Sequence, residues 1–183
     1  MESMNVFMTN GTFEYLKKIK KAYANENMIL LGDLDNTLLL HETSGETVFK
    51  QPRSFEVVDS RGTIENAQFF VMNHIPVTDE GRPLFEHRFK NRDGLIDKQP
   101  GFAGIRVLRP LSNNIYCVLT LWENEAAFNG WKQSSAFEKS HKKSAPGEDG
   151  TAGQHQKIFS GPSYTTKYSI NNEDPNLKED DWN

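Results

Sequence analysis

The fold is decided by one strongly apolar stretch, Phe69-Phe70-Val71-Met72-Asn73-His74-Ile75-Pro76-Val77. Its length is that of a β-strand, and alternation places Asn73 on one face with Val71 and Ile75 and places His74 on the other face with Met72. A buried amide without a hydrogen-bond partner costs about 1–3 kcal/mol. An asparagine that bonds to neighbouring backbone is the simpler interpretation of this position, and a functional amide is the alternative.

The elements on the C-terminal side of this strand indicate the fold class. Thr78-Asp79-Glu80 is expected to open a helix in which Phe85, Phe89 and Arg92 lie on related turns. Further predicted elements are a hairpin of strands 103–110 and 115–122, a helix over 125–132, and a final strand pair or one long edge strand within 158–170. Strand, helix, strand, strand, helix, strand is the order of a ferredoxin-like α+β unit.

The first 66 residues repeat this plan in a weaker form. Thr12 is expected to cap a helix that ends near residue 23, after a short strand over 5–9. Four further strand-length runs are predicted at 28–31, 37–40, 47–50 and 55–58. The predicted division of the chain is therefore residues 1–66, residues 67–170 and a tail over 171–183.

Composition and charge exclude several classes of protein. The 183 residues are 36% hydrophobic and 11% aromatic, enough for a buried core, and no apolar run has the roughly 18 residues of a membrane span. The net charge is −4, and residues 171–183 alone also sum to −4, so we expect that tail to be disordered and expect no nucleic-acid partner. Cys117 is the single cysteine, and no secretory signal is recognisable, so we expect a cytoplasmic protein.

One short motif suggests a phosphatase. The run Leu30-Leu31-Gly32-Asp33-Leu34-Asp35-Asn36-Thr37 resembles the opening signature of haloacid-dehalogenase phosphatases, in which the first aspartate attacks phosphorus and the second handles protons beside magnesium. That chemistry needs a helix after the aspartates, whereas residues 38–42 are typical of another strand. A polar turn is therefore favoured, and the phosphatase remains a minor alternative.

The second half contains several motifs that occur together in one family. They are Leu119-Thr120-Leu121-Trp122-Glu123-Asn124-Glu125-Ala126-Ala127-Phe128, then Trp131-Lys132-Gln133-Ser134, Phe137 and His141, with Pro100-Gly101-Phe102 and Ile105-Arg106-Val107-Leu108-Arg109-Pro110. In these motifs the chain resembles the antibiotic-biosynthesis-monooxygenase family, and more narrowly its haem-degrading branch, the Isd-type and HmoB-type monooxygenases. The resemblance covers residues 67–170 strongly and the first section weakly.

The resemblance implies a site that binds and degrades haem. Three residues match the catalytic positions of the family: Asn73 as an amide donor that directs oxygen towards the porphyrin, Trp131 as the residue that distorts the ring, and His141 as the ligand of haem iron. His141 is the only metal contact that the resemblance implies. Phe89 is a candidate to pack on haem, and Arg88 and Arg92 are candidates to bind its propionates. The implied reaction uses O2 and an external electron donor, so an unidentified reductase is expected as a partner.

The spacing of Trp131 and His141 predicts a break in the last helix. Ten residues on an unbroken helix would place them about 15 Å apart and roughly 80° out of phase. Both can serve one haem only if the helix bends or restarts, and Gln133-Ser134-Ser135 is the expected interruption.

The resemblance also implies the overall architecture. Family members of this size have two ferredoxin-like units in one chain, so we expect a pseudo-dimeric antiparallel β-barrel-like core flanked by helices, in a monomer that binds one haem. Residues 1–66 would be a degenerate structural half, and residues 67–170 the haem-binding monooxygenase domain. The chain also resembles a staphylococcal-type signal-transduction regulator on the same scaffold, through Gly11-Thr12-Phe13, the turn Gly45-Glu46-Thr47-Val48 and Gly153-Gln154-His155. A non-catalytic regulator, or a protein that only binds haem, is therefore the alternative.

Overall fold

Eight strands and three α-helices make up the described part of this computed structural model, which covers residues 3–32, 36–91, 94–135, 137 and 158–170. The strands are β1 (Asn5–Gly11), β2 (Met28–Gly32), β3 (Thr37–Thr43), β4 (Arg53–Gly62), β5 (Phe69–Pro76), β6 (Phe102–Pro110), β7 (Ile115–Trp122) and β8 (Tyr164–Ile170). The helices are α1 (Phe13–Ala22), α2 (Arg82–Lys90) and α3 (Glu125–Lys132). Within these ranges, no helix is long and apolar enough to cross a membrane.

The strands form one closed antiparallel barrel in the order β1-β3-β2-β8-β5-β7-β6-β4. The first half contributes the run β4-β1-β3-β2, and the second half contributes β8-β5-β7-β6. In each half the fourth strand is therefore followed by the first, the third and the second. The halves join where β2 pairs with β8 and where β4 pairs with β6. The expected core of two ferredoxin-like units is therefore confirmed, and each unit covers the open edges of the other.

Alternation along the strands fills the barrel with apolar side chains. On β5, Phe70 and Met72 are at most 1% exposed and pack inside the barrel with Leu119 and Leu121 of β7. The neighbouring residues Phe69 and Val71 pack outside it, against α3. The predicted division of the two faces of β5 is therefore confirmed.

The first half lacks a helix between its third and fourth strands. The strand predicted over 47–50 is wrong, because this segment is irregular and forms no ladder. The hydroxyl of Thr47 accepts a hydrogen bond from the backbone N–H of Phe49 and lies 3.1 Å from Nδ1 of His41. Such local side-chain bonds compete with strand pairing, and they hold Phe49 against the core in place of the missing helix.

Two other predicted boundaries also differ from the structure. The last strand begins only at Tyr164 and is not at an edge, because it pairs with β5 on one side and β2 on the other. Gly161 and Pro162 precede it, which explains why pairing does not extend further back. The helix expected from Thr78 begins at Arg82, because the Thr78 hydroxyl accepts from the N–H of Gly81 and closes a turn first.

Candidate functional site

Asn73 lies on the outer face of β5, at the boundary between two clusters of apolar side chains. Val71, two residues before it, belongs to a cluster with Phe128 and Trp131 of α3. Ile75, two residues after it, belongs to another cluster that Phe89 of α2 packs against. Side chains two residues apart on a strand are about 7 Å apart, so the Asn73 amide separates the two groups of aromatic rings.

The Asn73 side chain is half-buried, with one buried and one exposed neighbour on the adjacent strands. Opposite it on β7 is Val118, which is 7% exposed, and opposite it on β8 is the exposed Thr165. Within the described part of the chain, its amide makes no side-chain hydrogen bond. The expectation that neighbouring backbone would satisfy this amide is therefore not met there, and its N–H and C=O groups are available to a ligand.

Trp131 is 6% exposed and packs edge-on against Phe137, with ring centroids 5.4 Å apart. The helical segment is interrupted immediately after it, because α3 ends at Lys132 and the backbone N–H of Ser134 turns back to the carbonyl of Trp131. The Ser134 hydroxyl donates to that same carbonyl at 2.7 Å and accepts from the N–H of Phe137 at 3.1 Å, as an N-cap does. The predicted interruption over 133–135 is therefore confirmed.

The other residues of the expected haem site are described only in part. Phe89 is half-buried on α2 and stacks at a tilt on Phe85, with centroids 4.9 Å apart, while Arg88 is exposed to solvent. Arg92 and His141 lie outside the described residues. The described structure therefore brings Asn73, Trp131 and Phe89 to one side of the sheet and leaves the ligand of haem iron a prediction.

A network that the sequence analysis did not identify fixes α2 on the barrel. Arg109 of β6 binds Glu86 of α2 through Nε at 2.9 Å and also pairs with Glu56 of β4. The Tyr116 hydroxyl donates to the same Glu86 carboxylate. The pKa of Glu86 lies below its usual value, mainly because Arg109 donates a hydrogen bond to its carboxylate. The pKa of Tyr116 is raised to about 12, mainly by burial and also by its hydrogen bond to Glu86. Alternation of Arg109 with Leu108 on β6 is the sequence signal that could have placed this arginine on the outer face.

The phosphatase motif does not have the geometry that its chemistry needs. β2 and β3 pair antiparallel up to Gly32 and Thr37, so the motif connects two strands of a hairpin rather than a strand and a helix. Asp33 and Asp35 themselves lie outside the described residues. The phosphatase alternative therefore loses its structural basis.

Comparison with known proteins finds a family match within the second half of the chain. Residues 68–143 match the model of the antibiotic biosynthesis monooxygenase (ABM) family. This segment is therefore similar to ABM domains. The match begins one residue before β5 and includes α2, α3 and the strands between them, so Asn73 and Trp131 both lie inside the matched segment.

The proteins that this chain resembles over most of its length carry two different names. The signal transduction protein TRAP of Staphylococcus epidermidis is 26% identical over 157 residues, which cover 85% of this chain and 94% of that protein. A heme-degrading monooxygenase of Listeria monocytogenes is 28% identical over 129 residues, which cover 70% of this chain and 77% of that protein. A solved structure of a major regulator of staphylococcal pathogenesis is 24% identical, with a TM-score of 0.77 and coverage of 91% of this chain and 98% of that one, and it shows the shared fold.

Proposed function

We propose that this protein is a haem-degrading monooxygenase, which binds haem against the outer face of β5 and opens the porphyrin with O2 and electrons from an external donor, releasing iron. The observation that supports the proposal most directly is the half-buried amide of Asn73, which has no hydrogen-bond partner in the described structure and lies between aromatic clusters. The heme-degrading relative from Listeria monocytogenes gives the proposal a precedent on this scaffold.

The described residues fit the chemistry of haem. A large, flat and mostly apolar ligand needs aliphatic and aromatic walls with few, well-placed polar groups. The apolar side chains around Asn73 on the sheet are those of Val71, Ile75 and Val118. Trp131 packs in the cluster on one side of Asn73, and Phe89 packs in the cluster on the other side. When bound, haem supplies the iron at which O2 is activated.

The side chains of this chain have separate roles in the proposal. The Asn73 N–H donates a hydrogen bond to a polar group held over the sheet, and Trp131 presses on the ring from the end of α3. His141, beyond the break in the helix, provides the imidazole ligand of the iron. Arg88 and Arg92 are the proposed partners of the propionates, since a guanidinium binds carboxylates through two parallel N–H bonds.

One titration tests this proposal. Haem is added to the purified protein while the Soret band is recorded, and ascorbate is then added in air with an iron chelator present. We expect one haem per chain, followed by loss of the Soret band and release of iron to the chelator. A Soret band that persists under reductant and oxygen would indicate a protein that only binds haem.

Asn73→Ala separates binding from turnover. We expect haem affinity to change little and the rate of Soret loss to fall about tenfold or more, because a hydrogen bond to a charged group contributes about 1.5–3 kcal/mol. Asn129→Ala makes the same chemical change on the exposed surface of α3 and should behave as the native protein does. Equal turnover in Asn73→Ala and Asn129→Ala would remove Asn73 from the mechanism.

A regulatory function is the second candidate, and the extent of the match to TRAP favours it. That match covers 85% of this chain and so includes much of the first half, whereas the match to the heme-degrading relative covers 70%. A regulator on this scaffold predicts no haem binding in the same titration. Binding with turnover excludes the purely regulatory role.

A further inference from the structure

The end of the barrel where β1 stops and β4 begins contains a pocket that the proposed haem site does not use. It has a volume of about 390 Å³ and is lined by Met8, Thr9, Asn10, Gln51 and Arg53. The pocket is open to solvent, and Asn10, Gln51 and Arg53 are exposed. Met8 is inside the barrel and directly opposite Arg53, so the pocket opens at the mouth of the barrel rather than on its outer face.

Arg53 is the cation at this mouth, and most of its donors have no partner in the described structure. Its guanidinium makes one hydrogen bond, to Oδ1 of Asn10 at 2.8 Å. No carboxylate of the described residues pairs with it. Since a guanidinium has five N–H donors and no acceptor, Arg53 presents a cationic fork to the pocket.

Arg106, at the opposite end of the barrel, is an arginine whose guanidinium donors have hydrogen-bond partners. It binds Oε2 of Glu42 at 2.8 Å and the carbonyls of Arg61, Ile105 and Gly62 at 2.9–3.0 Å. Among the described residues, Arg106 is therefore paired with a carboxylate and Arg53 is not.

The charge of Arg53 reaches the side chains that line the interior below it. His74, 8% exposed, lies on the inner face of β5, stacks on Tyr164 with centroids 4.5 Å apart, and bonds Thr166 through Nε2 at 2.8 Å. Burial is the main cause that lowers the pKa of His74 to about 4, and the Arg53 charge lowers it further. His74 is therefore neutral at pH 7 and does not compete with Arg53 for an anion.

We propose that the barrel mouth binds the oxyanion group of a small molecule, a carboxylate or a phosphate, on the N–H donors of Arg53. A guanidinium binds both groups through two parallel hydrogen bonds. Asn10 holds one edge of the guanidinium in place, and Met8 closes the apolar side of the pocket. This site is on the inner side of the sheet, whereas the proposed haem site is on the outer side, so either can exist without the other.

The test follows the Arg53 Nε–H and Asn10 backbone N–H resonances in the haem-free protein at pH 7 and constant ionic strength. Inorganic phosphate is titrated in one series and acetate in the other. We expect a saturable shift of both resonances in at least one series, and the series that saturates identifies the group. Absence of a saturable shift in both series overturns the proposal.

Three variants locate the binding. Arg53→Gln should weaken the anion at least tenfold, and Arg53→Lys should weaken it less, because lysine keeps the charge but loses the fork. Lys18→Gln removes one exposed positive charge from α1 and should leave binding unchanged. In the native protein, the pKa of His74 should rise when the anion neutralises Arg53. Native-like anion binding by Arg53→Gln would contradict the proposal.

Discussion

At the scale of single residues, burial lowers the pKa of two histidines of the barrel strands. Burial lowers the pKa of His41, against an opposing effect of the Glu26 carboxylate, whose Oε1 lies 3.3 Å from Nε2. His74 has the larger shift, to about 4, compared with an ordinary value near 6.5. Between these two pH values the unfolded chain binds more protons than the folded protein, so stability must fall as the pH falls.

His74→Gln tests this dependence. The native protein should lose roughly 2 kcal/mol of unfolding free energy from His74 between pH 7 and pH 5, because only the unfolded chain is protonated there. Glutamine can keep a bond to Thr166 but does not titrate, so the variant should be less stable at pH 7 and should have a shallower pH dependence. Urea unfolding at pH 7, 6 and 5 measures both, and parallel slopes for the two proteins would contradict the assignment.

At the scale of elements, the break after α3 is made by one serine. Ser134 links the end of one helical segment to the start of the next through its bonds to Trp131 and Phe137. Those bonds fix the direction in which the chain leaves Trp131. If His141 is the iron ligand, this break is what makes its placement relative to Trp131 possible.

Ser134→Ala should reduce the unfolding free energy by about 1 kcal/mol, the usual effect of removing an N-cap hydroxyl. Ser135→Ala, at the next and exposed position, should change it by less than about 0.5 kcal/mol. Urea midpoints of the two variants provide the measurement. Equal midpoints would mean that backbone packing, not the hydroxyl, sets the break.

At the scale of the whole molecule, the two halves are held together by a buried ion pair as well as by shared strands. Arg106 of β6 and Glu42 of β3 are 7% and 11% exposed, and they belong to different halves of the barrel. Burying two charges is costly unless they satisfy each other. The pair therefore favours one alignment of the halves over others.

A double-mutant cycle tests this pairing. Arg106→Met should destabilise the protein by about 3–5 kcal/mol, because it leaves Glu42 buried without its partner. Arg106→Met combined with Glu42→Leu should be more stable than Arg106→Met alone. The control is Arg61→Met, which breaks the Arg61–Asp97 pair, in which the arginine is 62% exposed, and should cost less than about 1 kcal/mol. A double variant no more stable than the single one would mean that Arg106 acts through its carbonyl bonds alone.

Local pattern was sufficient for the elements whose signals lie within a few residues. The faces of β5, the Thr12 cap of α1, the hairpin of β6 and β7 and the limits of α3 all follow from alternation, capping and turn residues. The pattern failed at residues 47–50 and at the last strand. At residues 47–50 local bonds of the Thr47 hydroxyl replaced strand pairing, and at the last strand the outcome depended on pairing with β2, which is distant in sequence.

The candidate site divides in the same way. The order of strands and helices within the ferredoxin-like units could be predicted from the sequence alone, and so could the position of Asn73 as a polar residue on an apolar face. Both are properties of local periodicity. Three facts came only from the folded chain: Glu86 meets Arg109, β8 is enclosed by both halves, and among the described residues Arg106 pairs with a carboxylate while Arg53 does not. Those facts depend on which distant segments become neighbours when the barrel closes, and no local pattern of residues encodes that closure.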